Sequence, residues 1–333
     1  MSNTEQAKIL KLLVDNDLVS ANATIQTLEG GVSSDVYFVF DEDKKLVVKS
    51  ALAQLKTQAT WLADTTRSVA EVEALKLHGE ITPTHLPEVI AFIDNTLVIT
   101  AANDSWVDLR KFLLDTQEIN PEWLIDLVKD LARTLATWHN QTQNLTSLPK
   151  IFDHKERLIQ LRTAPFHRYC AELRPEFSSV LLQLADKLET ESNCLIHGDF
   201  SPKNVLTSLD ESNKYWVIDA EVAHLGLAVF DQTYFLTHLL LKATHKPNLQ
   251  ELFLRAAREF NNEYFLNIDE ALVEPTWPNY LGAILLARVI GKSPATYLSE
   301  SEKLIAEKIS VFLLNTSTSN IFDEIESILL GAR

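Results

Sequence analysis

Cysteine and glycine are both scarce in this chain of 333 residues. Its two cysteines, Cys170 and Cys194, form no C-x-x-C pair, which excludes a disulfide framework and a structural zinc site built on cysteine. Only 8 residues are glycine, whereas an average protein of this length has about three times as many. The positions of the glycines are therefore informative, and half of them fall in three short segments: Gly30 with Gly31, Gly198, and Gly226.

Long apolar runs and an excess of basic residues are also missing. No stretch reaches the roughly 18 apolar residues of a membrane-spanning helix. The first residues, MSNTEQAKILKLL, lack the pattern of a secretory signal, so we expect a cytoplasmic protein without a membrane partner. The 30 Lys and Arg residues against 46 Asp and Glu give a net charge of −16, the wrong sign for binding phosphate backbones. Nucleic acid is therefore excluded as a partner.

The first hundred residues change from a helical to a strand-like pattern. Residues 5–18 carry leucine and isoleucine at helical spacing. The β-branched and aromatic runs that follow predict three consecutive antiparallel strands at 24–28, 36–40 and 45–50. Residues 67–78 predict a helix, and two further apolar runs flank Asp94-Asn95, which suits a hairpin turn.

From residue 105 onwards the pattern is mainly helical, with one strand-like interruption. Periodicity predicts helices at 121–140, 175–190, 231–244, 249–265, 276–291, 299–314 and 320–331. Residues 193–226 instead contain three short apolar runs separated by polar loops. The chain is about twice the length of a typical domain. We therefore expect an α+β protein with a small sheet-bearing lobe at residues 1–103 and a larger, mainly helical lobe at residues 104–333.

The strongest functional signal is the sequence H-G-D at 197–199, with Asn204 five residues after the aspartate. A second acidic motif, VIDAE at 217–221, follows an apolar run. This arrangement resembles the aminoglycoside phosphotransferase and choline kinase family, with some likeness to methylthioribose kinases, and the resemblance covers residues 24–245. The family's fold is similar to that of protein kinases. The resemblance therefore implies a bilobal, protein-kinase-like fold and phosphate transfer from ATP.

The resemblance also implies a role for each acidic or amide residue of these motifs. Asp199 matches the catalytic aspartate that orients the acceptor hydroxyl, and Asn204 matches the metal-binding asparagine at the end of the catalytic loop. Asp219 matches the aspartate that holds Mg²⁺ at the β- and γ-phosphates. Two roles stay open for Glu221, a ligand of a second metal ion or a salt bridge. Asp231 resembles the structural aspartate that braces the catalytic loop.

A loop that covers the phosphates of ATP is expected between the first two strands. Gly30, Gly31, Ser33 and Ser34 occupy this segment. The full G-x-G-x-x-G spacing is absent, and a two-glycine hairpin turn is the alternative interpretation. The nucleotide-binding interpretation is strengthened by a lysine, Lys49, on the third predicted strand.

Lys49 matches the lysine that pairs with the α- and β-phosphates of ATP, and a glutamate from a helix should hold it in place. Glu71 lies four residues before Leu75, which is the spacing of the family. Glu73 is the alternative partner, and we favour Glu71.

Three further residues attract attention because of their type and position. His197 is expected to hold the catalytic loop by hydrogen bonding, and His139 is expected to pack at the end of a helix rather than to catalyse. Arg288 begins an R-x-x-G segment similar to one that methylthioribose kinases carry near their substrate. Contact with the acceptor and an ion pair with a structural carboxylate both remain open for Arg288.

Together these features predict an ATP- and Mg²⁺-dependent kinase that phosphorylates a hydroxyl group of a small molecule. The alternative is a nucleotide-binding pseudokinase that senses ATP or docks a partner, but Lys49, Asp199, Asn204 and Asp219 are all present, which favours the enzyme. Only about a dozen residues separate Asp219 from Asp231, too few for a peptide-binding platform. A neutral or mixed-charge metabolite and a cationic acceptor, such as an aminoglycoside or choline, are equally compatible with the sequence.

Overall fold

A computed structural model describes residues 3–28, 34–51, 67–318 and 320–331. Three residues of the expected phosphate-covering loop, Gly30, Gly31 and Ser33, lie outside these described residues. Within the described ranges, no helix is both long enough and apolar enough to cross a membrane.

The N-terminal part contains a five-stranded antiparallel sheet with the order β1-β2-β3-β5-β4. Its strands are β1 (Thr24–Leu28), β2 (Ser34–Asp41), β3 (Lys44–Ala51), β4 (Val89–Ile93) and β5 (Thr96–Thr100). The predicted hairpin between the last two strands is present, because Asp94 and Asn95 both adopt positive φ angles, 48° and 59°, as a two-residue turn requires.

Two helices pack against this sheet. Helix α1 (Asn3–Asp15) buries Ile9 and Leu13 against the sheet residue Val48. The helix ends earlier than predicted because Asp17 has a φ of 56°, a left-handed conformation that cannot continue a right-handed helix. Helix α2 (Arg67–Ile81) carries the expected Glu71 among its buried residues.

The rest of the chain is mainly helical, which together with the small sheet confirms the predicted fold class. Its helices are α3 (Leu109–Asp115), α4 (Pro121–Gln141), α5 (Glu156–Leu158), α6 (Tyr169–Leu173), α7 (Ser178–Thr190), α8 (Val229–His245), α9 (Gln250–Asn267), α10 (Trp277–Ile290), α11 (Glu300–Asn315) and α12 (Phe322–Gly331). A π-helix (Ile159–Arg168) joins α5 to α6. Helix α8 is buried on all sides, as its largely apolar sequence dictates, and it forms the centre of the helical region.

Short strands position the loops that carry the two motifs. Strand β7 (Cys194–Ile196) pairs with β10 (His224–Gly226). A three-stranded sheet has the order β6-β8-β9 and consists of β6 (Val107–Asp108), β8 (Val205–Thr207) and β9 (Tyr215–Val217). Strands β6 and β10 were not predicted, because a strand of two or three residues is defined by its pairing partner rather than by its own sequence.

Both cysteines are free and buried in the helical region. Burial raises the pKa of Cys170 to about 12 and that of Cys194 well above its ordinary value. Both side chains are therefore neutral thiols that pack in the apolar interior.

Candidate active site

The H-G-D segment forms a tight turn at the end of β7. Gly198 has a φ of +74°, and a Cβ atom at this position would lie 2.7 Å from the backbone oxygen of Val222. Only glycine combines this left-handed conformation with such a close approach of two backbones. The turn fixes the backbone from which the next residue, Asp199, projects.

Asp231, at the start of α8, stabilises the H-G-D segment by hydrogen bonds to its backbone. Its carboxylate accepts hydrogen bonds from the backbone N–H groups of His197 at 2.6 Å and Gly198 at 2.9 Å. His139 Nε2 lies 3.4 Å from the same carboxylate, and His139 Nδ1 is hydrogen-bonded to the Tyr264 hydroxyl. Burial alone would raise the pKa of Asp231, but the hydrogen bond and charge of His139 outweigh it and lower the pKa. Asp231 therefore contacts the loop that the sequence expects it to brace, whereas the contact of His139 with Asp231 goes beyond the helix-end packing expected for it.

His197 links the two motifs through its imidazole ring. The backbone N–H of Asp199 donates to Nδ1 at 3.2 Å, so the ring proton lies on Nε2, which is 3.2 Å from the carbonyl oxygen of Ile218. Burial lowers the pKa of His197 and keeps the ring neutral. His197 is thus a structural residue, in agreement with its expected role.

The Asp199 carboxylate is almost completely buried and lies between two cations. Its Oδ2 accepts hydrogen bonds from the Asn204 amide at 2.9 Å and lies 2.7 Å from Lys203 Nζ. Its Oδ1 lies 2.7 Å from Arg162 Nη2. Burial alone would raise the pKa of Asp199, but Arg162 and then Lys203 outweigh this effect and hold the pKa well below its usual range. The carboxylate is therefore ionised and fixed in orientation.

Arg162 and Lys203 are functional candidates that the sequence analysis missed. Arg162 projects from the π-helix, donates from Nε to the Gly198 carbonyl at 2.9 Å, and has its guanidinium carbon 5.3 Å from the centre of the Tyr234 ring. Lys203 could have been found, because it stands four residues after Asp199 in the motif. Arg162 gave no such signal, since it lies 36 residues before Gly198 in a stretch for which the sequence predicts no element.

Asn204 and Asp219 offer oxygen atoms suited to a hard cation. The Asn204 amide nitrogen is used by Asp199, which leaves the amide oxygen as its remaining polar atom. The backbone carbonyl of Asn204 accepts a hydrogen bond from the backbone N–H of Ile218, the residue before Asp219. The backbone segments that carry Asn204 and Asp219 are therefore neighbours. Asp219 has a φ of +68°, a left-handed conformation that costs a non-glycine residue free energy and that recurs at active sites. One carboxylate and one amide oxygen suit Mg²⁺, which usually completes its shell with water and phosphate.

Lys49 lies between the carboxylates of Glu71 and Asp219. Its Nζ is 2.5 Å from Glu71 Oε1 and 2.6 Å from Asp219 Oδ1. The structure therefore selects the favoured partner, Glu71, while Glu73 faces Lys76 at 3.3 Å on the outer side of α2. Burial alone would lower the pKa of Lys49, but Asp219 and then Glu71 outweigh it and raise the pKa, so the lysine is charged.

The two remaining predicted residues lie at the edges of this arrangement. Glu221 Oε2 lies 3.4 Å from Nε of the buried Arg67, so Glu221 forms the salt bridge that was one of its two expected roles. Binding of a second metal ion by Glu221 stays a prediction. Ser34 is buried at the start of β2. The structure thus brings together Lys49, Glu71, Asp199, Asn204 and Asp219.

Solved structures with the same fold include two phosphotransferases. One is a type I macrolide 2'-phosphotransferase, with a TM-score of 0.53, 11% identity, and coverage of 99% of this chain and 98% of that one. The other is an aminoglycoside-3'-phosphotransferase of type VIII, with a TM-score of 0.53, 18% identity, and coverage of 92% and 98%. These similarities support the protein-kinase-like fold that the sequence predicts.

Curated relatives are methylthioribose kinases. The chain is 27% identical over 241 residues to the enzyme of Geobacillus kaustophilus, which is 65% of this chain and 60% of the relative. It is 25% identical over 244 residues to methylthioribose kinase 2 of Oryza sativa subsp. japonica, which is 66% of this chain and 56% of the relative. The matched region therefore spans about three-fifths of the length of these relatives. Residues 24–264 match the family described as "Phosphotransferase enzyme family", and the chain belongs to that family.

Proposed function

We propose that this chain is an ATP- and Mg²⁺-dependent kinase that transfers the γ-phosphate to a hydroxyl group of a small molecule. The observation that carries the proposal is the convergence of Lys49, Glu71 and Asp219 with Asp199 and Asn204 in one site. Phosphoryl transfer depends mainly on positioning and on charge stabilisation, and these residue types supply both.

Each group has a distinct task in this mechanism. Lys49, fixed by Glu71, binds the α- and β-phosphates, and Gly30, Gly31, Ser33 and Ser34 belong to the loop expected to cover them. Asp219 and Asn204 would hold Mg²⁺, which neutralises phosphate charge when it is bound. A solved amicoumacin kinase of the same fold, with a TM-score of 0.52 and 13% identity, is described in complex with AMP-PNP and Ca²⁺, which supports a site for a nucleotide and a divalent ion.

Asp199 orients the acceptor hydroxyl for attack. The hydroxyl oxygen forms a bond to the γ-phosphorus while the bond from that phosphorus to the bridging oxygen of ADP breaks. The hydroxyl proton passes to the Asp199 carboxylate and from there to solvent, so the products are ADP and a phosphate ester. Because the pKa of Asp199 is held low, the carboxylate acts mainly by orientation, and proton transfer follows late in the reaction.

A small acceptor is supported by the short connection after Asp219. Strand β10 and the start of α8 at Val229 follow within ten residues, which leaves no segment long enough to bind an extended peptide. The names of the relatives point to the same class of acceptor, since they are kinases of a methylthioribose sugar.

The test is an ADP-release assay of purified protein with Mg²⁺-ATP across a panel of sugars, amino alcohols, hydroxy acids and antibiotics. We expect acceptor-dependent ADP release, and we expect Asp199→Asn to lower it by at least a hundredfold while Mg²⁺-ATP affinity stays within threefold. Asp210→Asn, in an exposed turn, is the matched control and should retain activity. Turnover of Asp199→Asn within tenfold of the unmodified protein would contradict the assignment.

A further inference from the structure

One face of α8 leads away from Asp199. Tyr234, His238 and Lys242 are spaced by four residues and therefore lie along the same side of the helix. The Tyr234 ring lies next to Arg162, and the centres of the Tyr234 and His238 rings are 5.3 Å apart. The charges of Asp199 and Lys203 both act on His238, so this residue is near the catalytic aspartate.

Lys242 is a buried amine that forms no ion pair in the described part of the chain, although the charge of Asp108 acts favourably on it. Its side chain is 0% exposed, and its ammonium donates one long hydrogen bond of 3.3 Å, to the His238 carbonyl of its own helix. Burial, and then the charges of Arg110 and Arg288, lower the pKa of Lys242 to about 7. The protein thus places three basic groups close together, although its net charge is −16.

Arg288, on α10, also has incomplete polar contacts. It donates to the backbone and the hydroxyl of Ser293, but its buried Nε has no hydrogen-bond partner among the described residues. The buried hydroxyl of Tyr297, on which the charges of Arg288 and Arg110 act, likewise has no partner within the described ranges. The sequence left open an ion pair between Arg288 and a structural carboxylate. No such ion pair is found in the described part of the chain. Buried polar atoms of this kind are normally satisfied, and a ligand is one way to satisfy them.

Arg110 completes this group at the surface. It is exposed and belongs to α3, which packs against the turn Pro202–Asn204 of the catalytic loop. The basic strip, defined as His238, Lys242, Arg288 and Arg110, therefore extends from the neighbourhood of Asp199 to solvent. Mutual repulsion and burial destabilise such a group of cations, and an anion that accepts charge-assisted hydrogen bonds would relieve both costs.

We propose that the basic strip binds an anionic group of the acceptor, a carboxylate or a phosphate, while a hydroxyl of the same molecule lies at Asp199. The inference rests on the proposed kinase function and narrows its acceptor from a small hydroxylated molecule of any charge to one that carries an anionic group, in place of the neutral, mixed-charge or cationic acceptors considered from the sequence. His238 is neutral and supplies a hydrogen bond. The positive charge that faces the anion comes from Arg288 and Arg110, and from Lys242, whose protonated form a bound anion favours.

Matched acceptors test this proposal on the unmodified protein. The series is ribose, ribonate and ribose 5-phosphate, with glycerol, glycerate and glycerol 3-phosphate as a smaller set and choline as a cation. Calorimetric titration into protein saturated with Mg²⁺ and AMP-PNP measures binding, and ADP release with Mg²⁺-ATP measures transfer. We expect at least one anionic member to bind at least tenfold more tightly than its neutral counterpart, and the carboxylate and phosphate arms identify the preferred group. Equal or tighter binding of neutral or cationic members, or no binding of any member, would overturn the proposal.

Two variants test the residues. Lys242→Met and Arg110→Gln should each weaken binding of the anionic member at least tenfold while changing Mg²⁺-AMP-PNP affinity less than twofold. Arg110 is exposed, so its variant remains informative if Lys242→Met does not fold. The controls Lys11→Met and Arg255→Gln remove exposed cations elsewhere and should have no effect. Unchanged anion binding in both test variants would also overturn the proposal.

The two assays separate this inference from the proposed function. Anion binding that depends on the basic strip, without any ADP release, would support the strip and contradict the kinase. ADP release with neutral or cationic acceptors alone would support the kinase and contradict the role of the strip.

Discussion

At the scale of single residues, Asp199, the proposed catalytic aspartate, differs from a solvent-exposed carboxylate in its lowered pKa and in its fixed orientation. Asp199 is in contact with Arg162, Lys203 and Asn204, so it cannot rotate and cannot easily take up a proton. A carboxylate in this state is a weak base but a well-oriented hydrogen-bond acceptor. In the proposed mechanism Arg162 is therefore a positioning residue, because it would act on the acceptor through Asp199.

We expect Arg162→Gln to raise the pKa of Asp199, because the largest of its favourable charge interactions is lost. In the unmodified protein Asp199 is ionised above its lowered pKa, and activity is lost only as pH falls through that value. The acid limb of the pH profile of kcat/KM should therefore move to higher pH in the variant, with a fall of about tenfold at neutral pH.

The control for this experiment is Arg255→Gln, which removes an exposed arginine of α9. Its profile should match that of the unmodified protein. An Arg162→Gln enzyme with lower activity but the same acid limb would show a purely structural role for Arg162.

At the scale of elements, the catalytic loop is held by one glycine and by the start of one helix. Gly198 adopts a conformation that other residues avoid, and Asp231 of α8 accepts hydrogen bonds from the backbone N–H groups of the consecutive residues His197 and Gly198. Helix α8 therefore fixes the loop at its first turn and carries the basic strip along its later turns.

We expect Gly198→Ala to lower the free energy of unfolding by about 1–3 kcal/mol, because the added Cβ combines a positive φ with a backbone clash. Denaturant unfolding followed by circular dichroism measures this change. Gly79→Ala is a matched control, since Gly79 lies in α2 with nothing within 4 Å of an added Cβ. It should raise stability by up to about 1 kcal/mol. Equal effects of the two substitutions would refute the assigned backbone constraint.

The regular elements were predictable, whereas the contacts that build the site were only partly so. The helices α4, α8 and α10 follow from apolar residues at helical spacing, and the paired Asp94-Asn95 turn follows from residue type. The sequence did not predict the π-helix that carries Arg162, because ten residues with slightly wider helical turns show no recognisable spacing of apolar side chains. The pairing of Lys49 with Glu71 could be expected from the family resemblance, but the long-range contact of Arg162 depends on how the helices pack.

At the scale of the whole molecule, Lys49 connects three separate parts of the chain. It stands on β3, pairs with Glu71 of α2, and reaches Asp219, which lies 170 residues further along the chain. The sheet and the helical region therefore meet at a buried ion cluster with two carboxylates around one ammonium. Removing the ammonium would leave two neighbouring buried carboxyl groups without a counterion, and burial already raises the pKa of Glu71 to about 7.

We expect Lys49→Ala to weaken Mg²⁺-ATP binding by about tenfold or more, because a charged partner of the phosphates is lost. Titration calorimetry measures the affinity directly. Lys45→Ala, on the same strand but more exposed, is the control and should leave affinity unchanged. A nucleotide complex with Lys49 remote from every phosphate would contradict the assignment even if affinity fell.

The burial of both cysteines makes the protein suitable for site-directed labelling. Thiol reagents attack thiolates, and Cys170 and Cys194 are enclosed with pKa values raised by burial, so neither should react at neutral pH. Cysteines introduced at Asp43, in the turn between β2 and β3, and at the exposed Leu266 of α9 would then be the only labelled positions. Fluorescence energy transfer between them would report the distance between sheet and helices as nucleotide and acceptor are added in turn.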